Sequence, residues 1–372
     1  MAINHAEIKD FLVFRDEFAA SFCNGINVLI GGNGTGKTTL LKVLYWACEF
    51  ADKIIFEEQK TNFQLSTSPD APYTIPFLLK DYFVGPSYFF TSDDSDEFAS
   101  TLRVSEFADN EIGPALNVSF AKCLTKMTFH IGEMGSKENK EAYLWCNREL
   151  PSVFIPTTEM LSHSRGFLAL NRERAVPFDK TELDIIAKAE LEPTREITQN
   201  ARKVLERIAS IIGGTVSFDG KDFFVEKTSI SDKVPFSFEA SGYRKFGLLW
   251  KLLRNGLLES GTILFWDEPE NSLNPELVPM LVDILLELAK NGVQIFVATH
   301  DYNLARYFDV RKDKGIPVMF HNLSIAKDRQ IICNSSPEYV KIPGNHLETA
   351  SADLFKAVVA DAMEVQDDEY IA

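Results

Sequence analysis

The stretch Gly31-Gly32-Asn33-Gly34-Thr35-Gly36-Lys37-Thr38 fits the pattern G-x-x-x-x-G-K-[ST]. Glycines let backbone N–H groups converge on phosphate oxygens without interference from a Cβ. A helix starting at Lys37 turns its positive N-terminus toward the same anion. In this pattern Lys37 reaches the β- and γ-phosphates and the Thr38 hydroxyl binds Mg²⁺. Thr39 is counted with the phosphate-binding residues.

A second stretch, TILFWDEPE, runs an apolar strand into Asp267-Glu268. Paired carboxylates at a strand end are costly unless solvated or bound to a cation. Asp267 is placed to hold Mg²⁺, and Glu268 to polarise an attacking water. In a third stretch, FVATHD, His300 follows another apolar run. Ligands of open α/β sheets sit at that strand end, where a neutral imidazole suits contact with a γ-phosphate or the attacking water. In a fourth, EASGYRKFGLL, Ser241 and Gly242 open a helix. Its N-terminus offers a hydroxyl and free N–H groups to a second phosphate.

Each stretch also has a plainer reading. These are a glycine turn that binds nothing, a solvated strand end, a satisfied histidine and an ordinary N-cap serine. The order and spacing of the first three argue against the plain readings. Ser241, taken alone, reads more readily as an N-cap.

The elements around these residues follow the expected periods. Residues 3–14 and 26–30 read as strands, and Leu40, Leu41, Leu44 and Tyr45 mark one face of a helix after Lys37. Residues 51–115 are irregular, with TSDDSDE an exposed loop. The segments LNVSF, KMTFHI and AYLWC, with GEMGSKENKE as a turn, predict an antiparallel sheet over 116–146; SVFIP is a further strand. Residues 179–212 are helical and divided at Pro193, and TVSFDG with DFFVEK forms a hairpin. From 241 to 300 helices and buried strands alternate, which predicts an α/β layer with parallel strands.

The 372-residue chain is 45% hydrophobic, enough for one large domain or two ordinary ones. Asp and Glu outnumber Lys and Arg 54 to 38, giving a net charge of -16. That balance argues against a surface coated throughout in nucleic acid, without excluding a local basic groove. The five cysteines are odd in number and widely spaced, so reduced thiols are expected rather than disulfides or a zinc site. No apolar run reaches the ~18 residues of a membrane helix, and the N-terminus lacks the apolar core of a signal peptide. A cytoplasmic protein with no membrane partner is expected, its ending EVQDDEYIA a solvated acidic tail.

The order of phosphate loop, Ser-Gly helix start, Asp-Glu strand and Thr-His strand resembles the ATP-binding-cassette (ABC) ATPases. Their Walker A, signature, Walker B and switch-histidine elements follow one another in this way. IKDFLVFRDEF…INVLIGGNGTGKTTLLKVL is similar to the N-terminus of the Rad50, SMC, RecF and OLD branch. DEPENSLNPELV and ATHDYNLA look like the compact AAA-type ABC ATPases of bacteria. The resemblance covers roughly residues 3–50 and 235–305.

The resemblance implies a P-loop fold with a mixed or parallel core sheet, an antiparallel β subdomain and a small helical lobe. The expected divisions are 1–160 (N-terminal part of the ATPase lobe), 161–234 (helical lobe or insertion), 235–345 (C-terminal part of the ATPase lobe) and 346–372 (helix and acidic tail). It implies ATP and Mg²⁺ as ligands. Gly31, Gly32, Asn33, Gly34, Thr35, Gly36, Lys37, Thr38 and Thr39 would bind phosphate, and Thr38 and Asp267 the metal. Glu268 would be the catalytic base and His300 the switch histidine. Ser241, Gly242 and Ser272, the last in a D-loop with Asn271 and Leu273, would meet the ATP of a second subunit. SVFIPTTEML stands where these families place the Q-loop, with Glu159 as a metal candidate.

Three departures stand out: Ser-Gly-Tyr-Arg-Lys in the signature, no glutamine beside Thr157, Thr158 and Glu159, and Asn274 in the D-loop. About 200 residues separate Thr38 from Ser241, against roughly half that in a transporter cassette. The helical part is too short for a coiled-coil arm. The roughly 70 residues after His300 show no second acidic metal site of the OLD-nuclease kind. What the resemblance implies is a dimeric ATP switch with a protein effector, in DNA repair or anti-phage defence. A nucleotide-dependent scaffold with negligible turnover and a DNA-processing enzyme are the alternatives. For nucleic acid, Arg165, Arg172, Arg174, Lys180, Arg195, Arg202, Lys203 and Arg207 offer a groove. The interleaved Glu173, Glu196 and Glu206 favour a solvated face of mixed charge.

Overall fold

The computed structural model describes residues 2–51, 100–105, 115–123, 126–130, 141, 144–145, 150–173, 178–229, 231–313 and 315–369. Strands β1 (His5–Phe11), β2 (Phe14–Ser21) and β3 (Ile26–Gly31) precede helix α1 (Lys37–Ala51). The stretch 3–14, expected as one strand, is a strand and the turn of a hairpin. Phe11 pairs with Phe14, and Leu12 turns the chain with a φ of 53°. Alternation runs on into the second arm, so the pattern gives no sign of the break, and a leucine rarely adopts that conformation.

Strands β4 (Ser100–Ser105), β5 (Ala115–Cys123) and β6 (Lys126–His130) join this hairpin in an antiparallel sheet of order β2-β1-β4-β5-β6. The expected antiparallel sheet is therefore present at LNVSF and KMTFH. AYLWC is not part of it: Leu144 and Trp145 are helical, as is Glu141. Trp145 is fully buried and donates Nε1–H to the Ala47 carbonyl of α1, so tertiary packing sets the conformation of this short apolar run. The loop TSDDSDE and most of the turn GEMGSKENKE lie outside the described residues.

Next come β7 (Ser152–Ile155), α2 (Phe167–Glu173), α3 (Lys180–Glu190) and α4 (Gln199–Ile212). Asp179 and Glu182 form a capping box at α3, Thr198 caps α4, and Gly213 ends it in the left-handed conformation. Pro193 lies between the two helices, as expected. Strands β8 (Gly214–Phe218), β9 (Phe223–Lys227) and β10 (Lys233–Pro235) form a small antiparallel sheet.

The remaining elements are α5 (Ser241–Arg254), β11 (Ile263–Asp267), α6 (Val278–Lys290), β12 (Gln294–Ala298), α7 (Tyr302–Arg311), β13 (Val318–Ile325), β14 (Ile331–Ser336) and α8 (His346–Glu369). Part of the ending read as a solvated tail thus continues a helix. The central sheet has the order β14-β13-β3-β12-β11-β7, parallel throughout except for β14. Both faces are covered, so β3, β7, β11 and β12 read as continuous apolar runs.

Side chains alternate between two cores. Val28, Leu264, Trp266, Ile295 and Val297 pack with the helices α3 to α7. Leu29, Phe154, Phe265 and Phe296 pack with α1 and the antiparallel sheet. On that second face Phe265 stacks on Phe296 with centroids 5.1 Å apart, and Tyr45 of α1 meets Phe154 at 5.5 Å. Each such pair adds about 0.5–1.5 kcal/mol beyond area burial, and together they seat α1 on the sheet. No helix among the described residues is long and apolar enough to cross a membrane.

Candidate active site

The strand order brings four connections to one edge of the sheet. β3, β12, β11 and β7 are parallel neighbours, so their C-terminal ends deliver Gly31–Thr38, Thr299-His300, Asp267-Glu268 and Thr157 side by side.

The loop after β3 is built around backbone that only glycine tolerates. Gly31 has φ +144°, and a Cβ there would lie 2.2 Å from the Leu323 carbonyl. Gly36 has φ +87°, and its Cβ would strike Phe14 and Val13 of the hairpin at 2.8 and 2.9 Å. Thr35 Oγ1 donates to the Gly32 carbonyl at 2.9 Å. Lys37 is buried, and its ammonium donates to the Gly31 and Gly32 carbonyls, each at 2.9 Å. Burial pulls the Lys37 pKa down to about 8, against the opposing pull of Asp267, Glu268 and Glu270.

Asp267 ends β11. Its Oδ2 accepts from Thr38 Oγ1 at 2.9 Å and from Thr157 Oγ1 at 3.2 Å. Burial pushes its carboxyl above the usual range, and the two hydroxyls work the other way. Glu268 follows with φ 48°, an uncommon conformation for a non-glycine residue. Its Oε1 lies 3.2 Å from His300 Nε2. Burial, followed by the positive charge of Lys37, lowers the His300 pKa from its ordinary value.

The Glu159 carboxylate faces elsewhere. It accepts from the Leu161 and Ser162 N–H groups at 2.6 and 3.2 Å and from the Ser162 hydroxyl at 2.6 Å. It also pairs with Arg244 of the Ser-Gly helix at 3.0 Å. From this segment Thr157, not Glu159, reaches Asp267. A hydroxyl two residues before an acid gives a sequence reader little to choose by.

Ser241 occupies the first helical position of α5. The N-cap is Ala240, with no side-chain cap, so an ordinary N-cap serine is not what the structure has. The amide donors of this helix start are not capped by a side chain. Gly242 lies against Leu273, where a Cβ would sit 3.2 Å from Cδ1. Ser272 is exposed with φ 59°. Asn274 caps the next turn by accepting the Glu276 N–H at 3.2 Å, which accounts for its residue type.

Three neighbours have no role in the sequence reading. Lys245 of α5 is buried and donates to the Glu268 and Pro269 carbonyls, both at 3.1 Å. Burial pulls its pKa down to about 8. Glu270 accepts from the Thr299 hydroxyl at 2.6 Å and the His300 N–H at 3.0 Å. The acid-proline-acid spacing of Glu268-Pro269-Glu270 was the available signal for Glu270. Lys245 stands in the Ser-Gly-Tyr-Arg-Lys stretch and Thr299 in the Thr-His pair, but neither pattern assigns them these partners.

The two basic segments are partly tied up: Arg207 pairs with Asp283, Lys180 with Asp184 and Arg165 with Asp222. Arg174 lies outside the described residues. Cys23 and Cys333 are free thiols. No group of three His, Cys, Asp or Glu side chains able to hold a metal occurs among the described residues. A hydroxyl-plus-carboxylate set such as Thr38 and Asp267 is the oxygen donor pair Mg²⁺ accepts when phosphate completes its shell.

A glycine cradle at a helix start, with an Asp-Glu strand end and a histidine turn on adjoining parallel strands, defines an ABC-type P-loop ATPase domain. The chain belongs to the family described as "AAA domain, putative AbiEii toxin, Type IV TA system", whose model matches residues 26–111 and 162–306. A solved structure, "Crystal structure of the SmcHead bound to the C-winged helix domain of ScpA", shares the fold at 13% identity with a TM-score of 0.54. That match covers 90% of this chain and 98% of the other. The L-cystine import ATP-binding protein TcyN of Bacillus subtilis (strain 168) is 32% identical over 96 residues, 23% of this chain and 37% of the relative. The glutamine transport ATP-binding protein GlnQ of Geobacillus stearothermophilus is 32% identical over 85 residues, 23% of this chain and 34% of the relative. The chain spans about a third of the length of these curated relatives.

Proposed function

We propose that this chain hydrolyses ATP with Mg²⁺ as an ATP-sandwiched homodimer, a switch that acts with a protein effector in DNA repair or anti-phage defence. The observation that carries the hydrolytic part is the convergence of Thr38, Asp267, Glu268 and His300 at the phosphate loop. The ATP-binding relatives and the SMC-head fold support nucleotide as the ligand.

In this reading the loop amides and Lys37 hold the phosphates, and Thr38 and Asp267 hold the metal, with Thr157 beside them. Bound Mg²⁺ supplies charge neutralisation on the phosphate oxygens. Glu268 takes a proton from the attacking water, and His300 orients Glu268 through their mutual contact. Lys37 is drawn from its carbonyl partners to an anion because phosphate offers charge where they offer only dipoles.

The homodimer rests on the helix start at Ser241-Gly242, which lacks a side-chain cap, and on the exposed Ser272. By the ABC resemblance, both belong to the half of an ATP site that a second copy supplies. The repair or defence role rests on the family alone. The AAA family is described with a toxin–antitoxin system, and the SMC head was solved with ScpA.

Purified chain with ATP and Mg²⁺ tests the reading. Phosphate release that Glu268→Gln lowers by about 10²–10⁴-fold, with ATP binding kept and a dimer trapped by light scattering, is the expected result. Tight ATP binding without release in the natural chain would favour the scaffold instead.

A further inference from the structure

Glu270 lies two residues beyond Glu268 and outside the phosphate cradle. Its Oε1 accepts two donors from the neighbouring turn, the Thr299 hydroxyl at 2.6 Å and the His300 N–H at 3.0 Å. Its Oε2 is shielded from solvent and has no hydrogen-bond partner. A carboxylate oxygen shielded from solvent without a partner is a costly way to join two turns.

The ladder explains why something must join them. Asp267 pairs with Ala298, and the Glu268 N–H still reaches the Ala298 carbonyl at 2.9 Å. Beyond that point the two strands part, and the Glu270 carboxylate takes up the His300 N–H instead. Thr299 is locked from both sides, since its Oγ1 also accepts the Asp301 N–H at 2.9 Å. Asp301 in turn caps α7 through the Leu304 N–H at 2.6 Å. His300 is thereby fixed at two points, its backbone by Glu270 and its ring by Glu268.

We propose that Glu270 is a positioning residue for hydrolysis: it holds the Thr299-His300 turn so that the imidazole meets Glu268. The inference rests on the hydrolytic reading of Glu268 and His300. Glu270 touches neither nucleotide nor water in this role, and acts only through His300.

The test is a double-mutant cycle read in kcat and KM for ATP, with nucleotide binding and thermal melting followed for each variant. Glu270→Leu lowers kcat by about tenfold or more and leaves KM within about threefold. Glu270→Gln keeps an oxygen acceptor for both donors and recovers most of that loss. In a His300→Ala background, Glu270→Leu costs less than about twofold more, because the residue it acts through is gone. An equal loss in both backgrounds, or a loss confined to KM, overturns the proposal. Should Glu270→Leu fail to fold, Thr299→Val removes one of the two bonds from the other side and runs through the same cycle. If Glu268→Gln leaves turnover intact, both the hydrolytic reading and this inference fall. If it abolishes turnover and the cycle is additive, only the role of Glu270 falls.

Discussion

Thr38 Oγ1 donates to Asp267 Oδ2 across 2.9 Å, although 229 positions separate them in the chain. β3 and β11 are not neighbours; β12 lies between them. Each nonetheless ends at the same sheet edge, and the loop after β3 swings the start of α1 toward Asp267. A hydroxyl and a buried carboxylate in contact are two oxygens already placed for one hard cation.

The first prediction follows from that contact. Asp267→Asn keeps an acceptor for Thr38 but removes the charge a divalent ion needs. We expect Mg²⁺-dependent ATP binding to weaken by roughly tenfold or more, the range for losing a charge-assisted contact, while binding without Mg²⁺ changes little. Titration calorimetry with and without EDTA reads both. Equal loss under both conditions would sink Asp267 as a metal ligand.

The second concerns the composite site. If ATP is held between Lys37 of one copy and Ser241 of the other, Lys37→Ala and Ser241→Arg damage different halves. Each variant alone is expected to be inactive. Mixed in equal amounts, half of the dimers carry one intact site, so roughly a quarter of natural turnover returns. Phosphate release from the mixture measures it. No recovery at any ratio would argue against sites shared between copies.

The third concerns pH. Burial and the Lys37 charge lower the His300 pKa below 6.5, so the folded chain keeps this imidazole neutral at pH 7. If the neutral ring is the active form, the acid limb of kcat/KM lies below pH 6.5 and reports the nucleotide-free enzyme. His300→Gln removes that limb and lowers the plateau. A limb centred above pH 6.5 would contradict the neutral assignment.

How far the sequence could be read depends on what each feature rests on. The P-loop, the Asp-Glu strand end and the histidine turn are local patterns tied to backbone needs, such as the positive φ of Gly31 and Gly36. Apolar runs reported buried parallel strands, and so the sheet edge where the candidate site lies. The Leu12-Val13 turn and the helical Trp145 segment were not legible, because tertiary contacts decide them rather than period or punctuation. The same holds for Thr157 and Lys245. Both lie in stretches the resemblance marks, but their partners, Asp267 and the Glu268 carbonyl, are far off in sequence, and nothing local assigns them. Glu159 drew notice because it is an acid at the expected place. The nearby Arg244 and the following turn claim its carboxylate instead.

The last prediction lies away from the site, at His321 in the middle of β13. The Asn27 Oδ1 accepts the Cys23 N–H at 2.9 Å and so is the acceptor for His321 Nε2 at 3.2 Å. His321 Nδ1 then accepts from the Ser335 hydroxyl at 2.7 Å. The neutral ring is thus satisfied on both nitrogens. Burial accordingly holds the His321 pKa down to about 3. In the unfolded chain the same ring titrates near 6.5. Between these values the unfolded state binds the extra proton, so stability is retained above pH 6.5 and lost as pH falls toward 3. The loss from this one group is about 2 kcal/mol between pH 7 and pH 5, at about 1.4 kcal/mol per pH unit below 6.5. Urea unfolding of the natural chain and of His321→Gln at both pH values measures it. The variant is expected to be less stable at pH 7 yet less sensitive to acid, and equal acid sensitivity in the two proteins would rule His321 out as its source.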